Sequence, residues 1–202
     1  MLTALRVCAL LYGAIALAGS AAVVLFFTLE TSMIGLVPTT DLFGPLSDWF
    51  GVVAAPPVIL AVLLFCAVAA ARWWLWILSA LVAASFAASA VVTWLFIHGE
   101  ATLDDQFAAS APQIVLLAAW VVCAGSVGAQ RRVLPRWMRA FAVVIVAAFA
   151  LAALVFAISF AIPAETGGRE AVAYLAGIPG FLAYTAQPIW WICLAVTARH
   201  RD

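Results

Sequence analysis

The chain has 202 residues, of which 68% are hydrophobic and only 9% are charged. Soluble domains contain roughly 45–50% apolar residues, so this composition excludes a soluble globular protein and predicts an integral membrane protein. The nine basic and nine acidic residues give a formal net charge of +0. Charge is therefore informative only through its distribution along the chain.

Six apolar stretches are long enough to cross a membrane. A transmembrane helix needs about 20 apolar residues, because no backbone polar group can stay unpaired in hydrocarbon. The predicted spans are 7–29, 50–71, 73–98, 111–130, 140–162 and 171–198. Arg72 interrupts a block that is too long for one crossing, which predicts a tight turn at the membrane surface. The predicted fold class is an all-α, single-domain transmembrane bundle of six helices.

Charged residues alternate between the connections that join these spans. One set of connections and termini carries Arg6, Arg72, Arg131, Arg132, Arg136, Arg139, Arg199 and Arg201. The other set carries Glu30, Asp41, Asp48, Glu100, Asp104, Asp105, Glu165 and Glu170. The two exceptions are Asp202 in the arginine set and Arg169 in the acidic set. Basic residues are retained on the cytoplasmic side, so both termini are predicted to be cytoplasmic. The chain lacks Lys and Asn, whose codons are A-rich, which indicates a GC-rich bacterial genome and hence the bacterial cytoplasmic membrane.

The first span has a second interpretation. Arg6 and the segment 16–18 have the arrangement of the basic region and cleavage site of a signal peptide. The apolar run continues to Leu29, which is longer than an ordinary signal core. A first transmembrane helix is therefore favoured over a cleaved leader.

Small residues recur four apart in several spans, for example at Ala80, Ala84 and Ala88. Such stripes allow helix backbones to approach closely in lipid. They predict tight packing, either inside one chain or at the face of a homodimer. The expected partners are membrane lipids and either a second copy or another membrane subunit, and no nucleic-acid partner is expected.

The sixth span is the most irregular. Gly177, Pro179 and Gly180, and then the pair Gln187–Pro188, are expected to break this helix and to free backbone carbonyls. Polar and aromatic side chains surround the expected breaks: Tyr174, Tyr184, Thr185, Gln187, Trp190 and Trp191. These six residues are the candidate ligand-binding residues. A purely structural kink stays open as the alternative, and tryptophans near span ends are also typical membrane-interface anchors.

The connection between the fourth and fifth spans is the most basic segment. It contains Arg131, Arg132, Arg136 and Arg139. Guanidinium groups near a membrane surface attract anionic headgroups with about 1 kcal/mol per residue. We therefore expect these four residues to contact anionic lipids. The simplest interpretation is orientation of the chain together with nonspecific lipid contact.

Groups that would carry chemistry are scarce. A charged residue inside a span is the usual sign of a proton or ion pathway. The predicted spans contain none. The two histidines lie at opposite ends, which excludes haem ligation by both, and no nucleophile motif or phosphate loop is present. We predict no catalysis, no cofactor and no metal. His98, with Glu100, Asp104 and Asp105 nearby, leaves a metal-dependent enzyme at the acidic face open as an alternative.

Two short segments carry a resemblance. The first is Leu134-Pro135-Arg136-Trp137, and the second is Gln187-Pro188-Ile189-Trp190-Trp191. In these segments the chain resembles uncharacterised small multi-pass membrane families of GC-rich bacteria, over about its last third. The resemblance implies a helical membrane fold and no activity.

Three functions are compatible with these features. The preferred hypothesis is a non-catalytic membrane protein that binds a lipid, a small apolar ligand or a partner subunit through its sixth helix. A transporter or channel for a neutral or apolar molecule is the first alternative. The metal-dependent enzyme at the acidic face is the second.

Overall fold

The computed structural model describes residues 1–26, 42–162 and 168–200, apart from the side chains of residues 170, 171, 173 and 174. Within these residues the chain forms six helices and no strand. The helices are α1 (Leu2–Leu25), α2 (Phe43–Val68), α3 (Trp73–Ile97), α4 (Leu103–Gln130), α5 (Arg136–Ser159) and α6 (Gly168–Thr197). Helices α1 to α5 are long and apolar enough to span a membrane. The predicted all-α fold class with six helices is confirmed.

The six helices pack in a closed ring. Each helix contacts the next one in the sequence, and α6 packs back against α1. Among these neighbouring pairs, α4 and α5 are the least closely packed. All six helices therefore face a common interior, and the weakest packing between neighbours is that of α4 against α5.

Polar contacts identify the two ends of the ring. Arg6 Nε donates a hydrogen bond to the Ala198 carbonyl oxygen at 3.1 Å, and the Arg199 N–H donates to the Val133 carbonyl oxygen at 2.9 Å. The start of α1, the α4–α5 connection and the end of α6 therefore share one end, which we call the Arg-rich end. The opposite, acidic end contains Asp48 and the first turn of α4.

Several helices begin before the apolar segments that predicted them. In α4, Thr102 Oγ1 accepts a hydrogen bond from the Asp105 N–H at 3.2 Å, and Asp105 Oδ2 accepts one from the Thr102 N–H at 2.9 Å. This reciprocal cap starts the helix with polar residues. Helix α4 consequently begins at Leu103, whereas hydropathy alone placed the start of the span at residue 111.

The prediction that the sixth helix is broken is wrong. Helix α6 runs without interruption through Pro179 and Pro188. A proline removes one backbone N–H and so leaves the carbonyl four residues earlier without its helical donor. In an apolar environment, continuing the helix still keeps the remaining backbone groups paired. Next to Pro188, α1 carries Gly13, where a Cβ atom would lie only 2.9 Å from the Pro188 carbonyl oxygen. The two helices therefore touch along their backbones at the point where a break was expected.

Candidate ligand cavity inside the ring

A cavity of about 150 Å³ lies inside the ring, and side chains or backbone of all six helices line it. Its wall is largely apolar, with Phe50, Phe86, Leu117 and Phe149 among the lining residues. The cavity is only partly enclosed. It has the dimensions of a site for a small apolar group rather than of a continuous pore.

A pair of polar side chains lies at the base of this cavity. Gln187 Nε2 donates a hydrogen bond to the Tyr12 hydroxyl oxygen at 3.2 Å, and both residues are buried and line the cavity. Among the described residues, this is the hydrogen bond that joins the Tyr12 hydroxyl and the Gln187 amide, whose hydroxyl proton and carbonyl oxygen it does not use. The pair therefore offers one donor and one acceptor to a molecule in the cavity.

A second pair of hydroxyl groups lies on the wall. The Tyr184 and Ser20 side chains both line the cavity. Ser20 Oγ also donates to the Ala16 carbonyl oxygen of its own helix at 2.9 Å. Helices α1 and α6 therefore supply these two polar pairs, on the side of the ring where they meet.

Aromatic rings close the cavity toward the Arg-rich end. We call Phe65, Trp120, Trp190 and Trp191 the aromatic layer. Trp191 stacks on Trp120 with ring centroids 5.1 Å apart and planes 3° apart, and Trp120 makes edge contacts with Phe65 and Trp190. Tyr12 contacts the layer through Trp191, with centroids 5.1 Å apart. Tyr12, which lines the cavity, thus connects it to the aromatic layer.

The indole N–H groups of this layer are mostly paired. Trp120 Nε1 donates to Ser79 Oγ at 2.7 Å, and Trp190 Nε1 donates to the Met138 carbonyl oxygen at 3.1 Å. Trp191 Nε1 is the buried side-chain nitrogen for which the described residues supply no acceptor. The layer is thus fixed by polar contacts as well as by ring packing.

A second, more open space adjoins the cavity on the outside of the ring. A crevice of about 790 Å³ runs between α4 and α5 and reaches Ala176 and Gly177 of α6. Its wall is almost wholly apolar. Ile114, Ala118 and Phe149 line both the crevice and the cavity, so the two spaces share a boundary. We call this space the α4–α5 crevice.

The six predicted ligand-binding residues have different positions. Tyr184 and Gln187 line the cavity, whereas Thr185 donates to the Phe181 carbonyl oxygen of its own helix at 3.0 Å. Trp190 and Trp191 belong to the aromatic layer. The side chain of Tyr174 lies outside the described residues.

The interpretation of Trp190 and Trp191 as membrane-interface anchors is wrong. Both side chains are 0% exposed, whereas Trp73 is 73% exposed. Sequence reasoning also missed Tyr12, Ser20 and Trp120. A signal for two of them exists, because positions 12, 16 and 20 are four apart and share one face of α1.

The acidic end has no metal centre among the described residues, where no three His, Cys, Asp or Glu side chains come together. Glu30, Asp41 and Glu165 are outside those residues. His98 Nδ1 lies 2.7 Å from the Trp94 carbonyl oxygen, and its ring packs on the Trp94 ring. The His98 ring is therefore engaged by its own helix.

Comparison with known proteins gives no relative: no protein-family model matches the chain, and no curated protein and no solved structure is significantly similar to it. The chemistry of the cavity is therefore the basis for a function.

Proposed function

We propose that this chain is a non-catalytic integral membrane protein that binds a small, mostly apolar molecule in the central cavity. The observation that carries the proposal is the Tyr12–Gln187 pair in an otherwise apolar wall. Binding sites for small molecules are typically apolar with a few polar groups that fix orientation. The bound group would therefore carry a hydroxyl or carbonyl that pairs with Tyr12 or Gln187.

The size of the cavity limits the group that it holds. An apolar protein cavity of about 150 Å³ accommodates benzene, and the volume here is about 150 Å³. The ligand would insert a single ring or a short branched segment. A longer apolar tail would extend into the α4–α5 crevice, whose wall is apolar. These features favour a membrane-soluble molecule that arrives from the lipid phase.

We further propose that the protein resides in a bacterial cytoplasmic membrane with its Arg-rich end in the cytoplasm. The support is the separation of arginine from acidic residues between the two ends of the ring. Positive residues are retained on the cytoplasmic side during insertion. The cavity would then lie on the side of the aromatic layer that is farther from the cytoplasm.

Transport of a neutral or apolar molecule stays the alternative prediction. A carrier also contains a cavity that is closed on one side. Passage to the Arg-rich end would require the stacked rings of Trp120 and Trp191 to separate, because they pack 5.1 Å apart between the cavity and that end. The packing of the aromatic layer favours binding over passage.

The test compares two probes of nearly equal size, phenol and benzene, by their saturable effect on thermal unfolding of the detergent-purified full chain. We expect phenol to bind better by roughly fivefold, since one buried hydrogen bond contributes about 1 kcal/mol. This preference should vanish when Tyr12→Phe and Gln187→Leu are combined. Thr185→Val is the matched control, because the Thr185 hydroxyl bonds only its own helix.

Two outcomes would contradict the proposal. If neither probe gave saturable stabilisation, the cavity would contain only water, which polar cavities of this size readily hold. If the phenol preference persisted in the double variant, the Tyr12–Gln187 pair would not be the polar element of the site.

A further inference from the structure

We propose that a groove at the Arg-rich end, between α4 and α5, is a specific site for one anionic phospholipid. The groove has a volume of about 960 Å³. Four arginines line it: Arg132, Arg136, Arg139 and Arg199. We call it the arginine groove. It lies at the opposite end of α4 and α5 from the crevice, so it is separate from the cavity proposed above.

Within the part of the chain that the structure describes, no acidic group compensates the charge in this groove. Among the described residues, no carboxylate lines it, and none of its four guanidinium groups makes an ion pair or a side-chain hydrogen bond. Guanidinium groups pair with phosphate oxygens through two parallel hydrogen bonds. Helix α5 also begins at this groove without a side-chain cap, so its first N–H groups add to the attraction for an anion. A phosphate group fits this chemistry.

Backbone contacts hold the arginines in place. The Leu134 N–H donates to the Gly128 carbonyl oxygen at 3.0 Å, and a Cβ on Gly128 would lie 2.7 Å from the Leu134 side chain. The connection therefore folds tightly onto α4, with Arg132 at a φ of 60°. The hydrogen bond from the Arg199 N–H to the Val133 carbonyl oxygen attaches the residues that follow α6 to the α4–α5 connection. The groove is thus built by two separate parts of the chain.

The occupant is a lipid because the wall below the arginines is apolar. Ala140, Val143 and Val144 continue the lining along α5, and Val143 and Val144 are 47% and 63% exposed. A free phosphate would pair with the guanidinium groups but would leave this wall uncovered. A phospholipid matches both parts, with its phosphate among the arginines and an acyl chain along the valines. Basic sites of this kind beside transmembrane helices bind anionic headgroups.

This site differs from the contact expected from sequence. Nonspecific attraction would involve every arginine at this end, including Arg131 and Arg72. Arg131 belongs to the same connection but does not line the groove. Arg199, which is not one of the four lipid contacts expected from the connection, does line it. A specific site therefore predicts different effects for arginines that carry the same charge at the same end of the bundle.

The experiment measures phosphatidylglycerol binding to the detergent-purified full chain by native mass spectrometry, with phosphatidylcholine as the neutral lipid. R136Q/R139Q should weaken phosphatidylglycerol binding by roughly tenfold or more, since each guanidinium contributes about 1 kcal/mol. R72Q/R131Q removes the same two charges from the same end and should leave binding nearly unchanged. Equal losses in the two variants, or equal binding of the two lipids by the parent chain, would overturn the proposal.

A second arm separates a lipid from a soluble anion. Inorganic phosphate in excess should not displace phosphatidylglycerol, because it makes no contact with the valine wall. Complete displacement would mean that the site takes a free anion and would overturn the lipid assignment. If R136Q/R139Q did not fold, R132Q/R199Q, whose positions lie outside the helices, should give the same loss. Phenol binding in the central cavity should persist in all these variants.

Discussion

At the scale of single residues, the interior contains a few polar groups that pair across helices. Ser79 on α3 accepts a hydrogen bond from the Trp120 indole N–H of α4, and its oxygen lies 3.0 Å from the Cys66 sulfur of α2. One hydroxyl thus connects three consecutive helices at the aromatic layer. In an apolar surrounding, water cannot replace such a contact.

Ser79→Ala should destabilise the protein, because the Trp120 N–H loses its acceptor. We expect the free energy of unfolding in detergent to fall by about 1 kcal/mol, near the usual value for a hydrogen bond between membrane helices. Ser85→Ala is the control, since the Ser85 hydroxyl bonds the Val82 carbonyl oxygen of its own helix. Equal stability of the two variants would show that the Ser79 contact is not stabilising.

The sequence predicted part of the cavity at this scale. Gln187 and Tyr184 were identifiable because polar side chains in an apolar span need partners. Tyr12 was not, because its partner Gln187 is 175 residues away and nothing local marks the pairing. The positions of Trp190 and Trp191 were misinterpreted, because the side chain of a tryptophan near the end of a span can face either the lipid or the interior of the bundle. Only the rotation of α6 about its axis distinguishes the two.

At the scale of helices, the contact between α1 and α6 closes the ring. A Cβ on Gly13 would lie 2.7 Å from the Ile192 side chain and 3.1 Å from the Ile192 backbone nitrogen. Small residues allow this type of approach between membrane helices. The two helices are therefore so close at this point that only a residue without a side chain fits at position 13.

Gly13→Ala should separate α1 from α6 and lower the free energy of unfolding by roughly 1–3 kcal/mol, as overpacking usually does. Gly177→Ala is the matched control in α6, because a Cβ there meets nothing within 4 Å. That variant should be neutral or should gain up to about 1 kcal/mol from helix propensity. Denaturant titration in detergent measures both. A neutral Gly13→Ala would contradict the close approach.

Hydropathy predicted the number of helices because apolar length is the main requirement for crossing a membrane. It placed their ends less well. Asp48 lies in the N-terminal part of α2, and Asp104 and Asp105 lie in the first turn of α4, so both helices extend beyond their apolar segments. The continuity of α6 through two prolines was also missed, because helix propensities from water overstate the effect of proline in lipid.

At the scale of the whole molecule, the described arginines lie at one end of the ring, except Arg169 at the start of α6, and Asp48, Asp104 and Asp105 lie at the other. The order of helices around the ring follows the sequence, so each connection spans only neighbours. Ala80, Ala84 and Ala88 form an exposed stripe on α3, and a homodimer through such a face stays a prediction.

The orientation is testable by cysteine labelling in intact bacterial cells that express the chain. A membrane-impermeant thiol reagent should label Glu100→Cys directly, because the acidic end is expected outside. It should label Arg131→Cys only after the membrane is permeabilised, because arginine-bearing connections stay in the cytoplasm. The parent chain, whose four cysteines lie within helices, gives the background. Labelling of both variants in intact cells would refute the predicted topology.

The closure of the ring by α1 and α6 has a consequence for biosynthesis. Ribosomes add about 5–20 residues per second, so the 175 residues between Tyr12 and Gln187 take roughly 9 to 35 seconds to make. During this delay Tyr12 of the nascent α1 lacks its partner Gln187, and the helix that covers Gly13 is absent. A chain stalled before α6 would therefore leave this face of α1, and its gap beside α5, open to the bilayer.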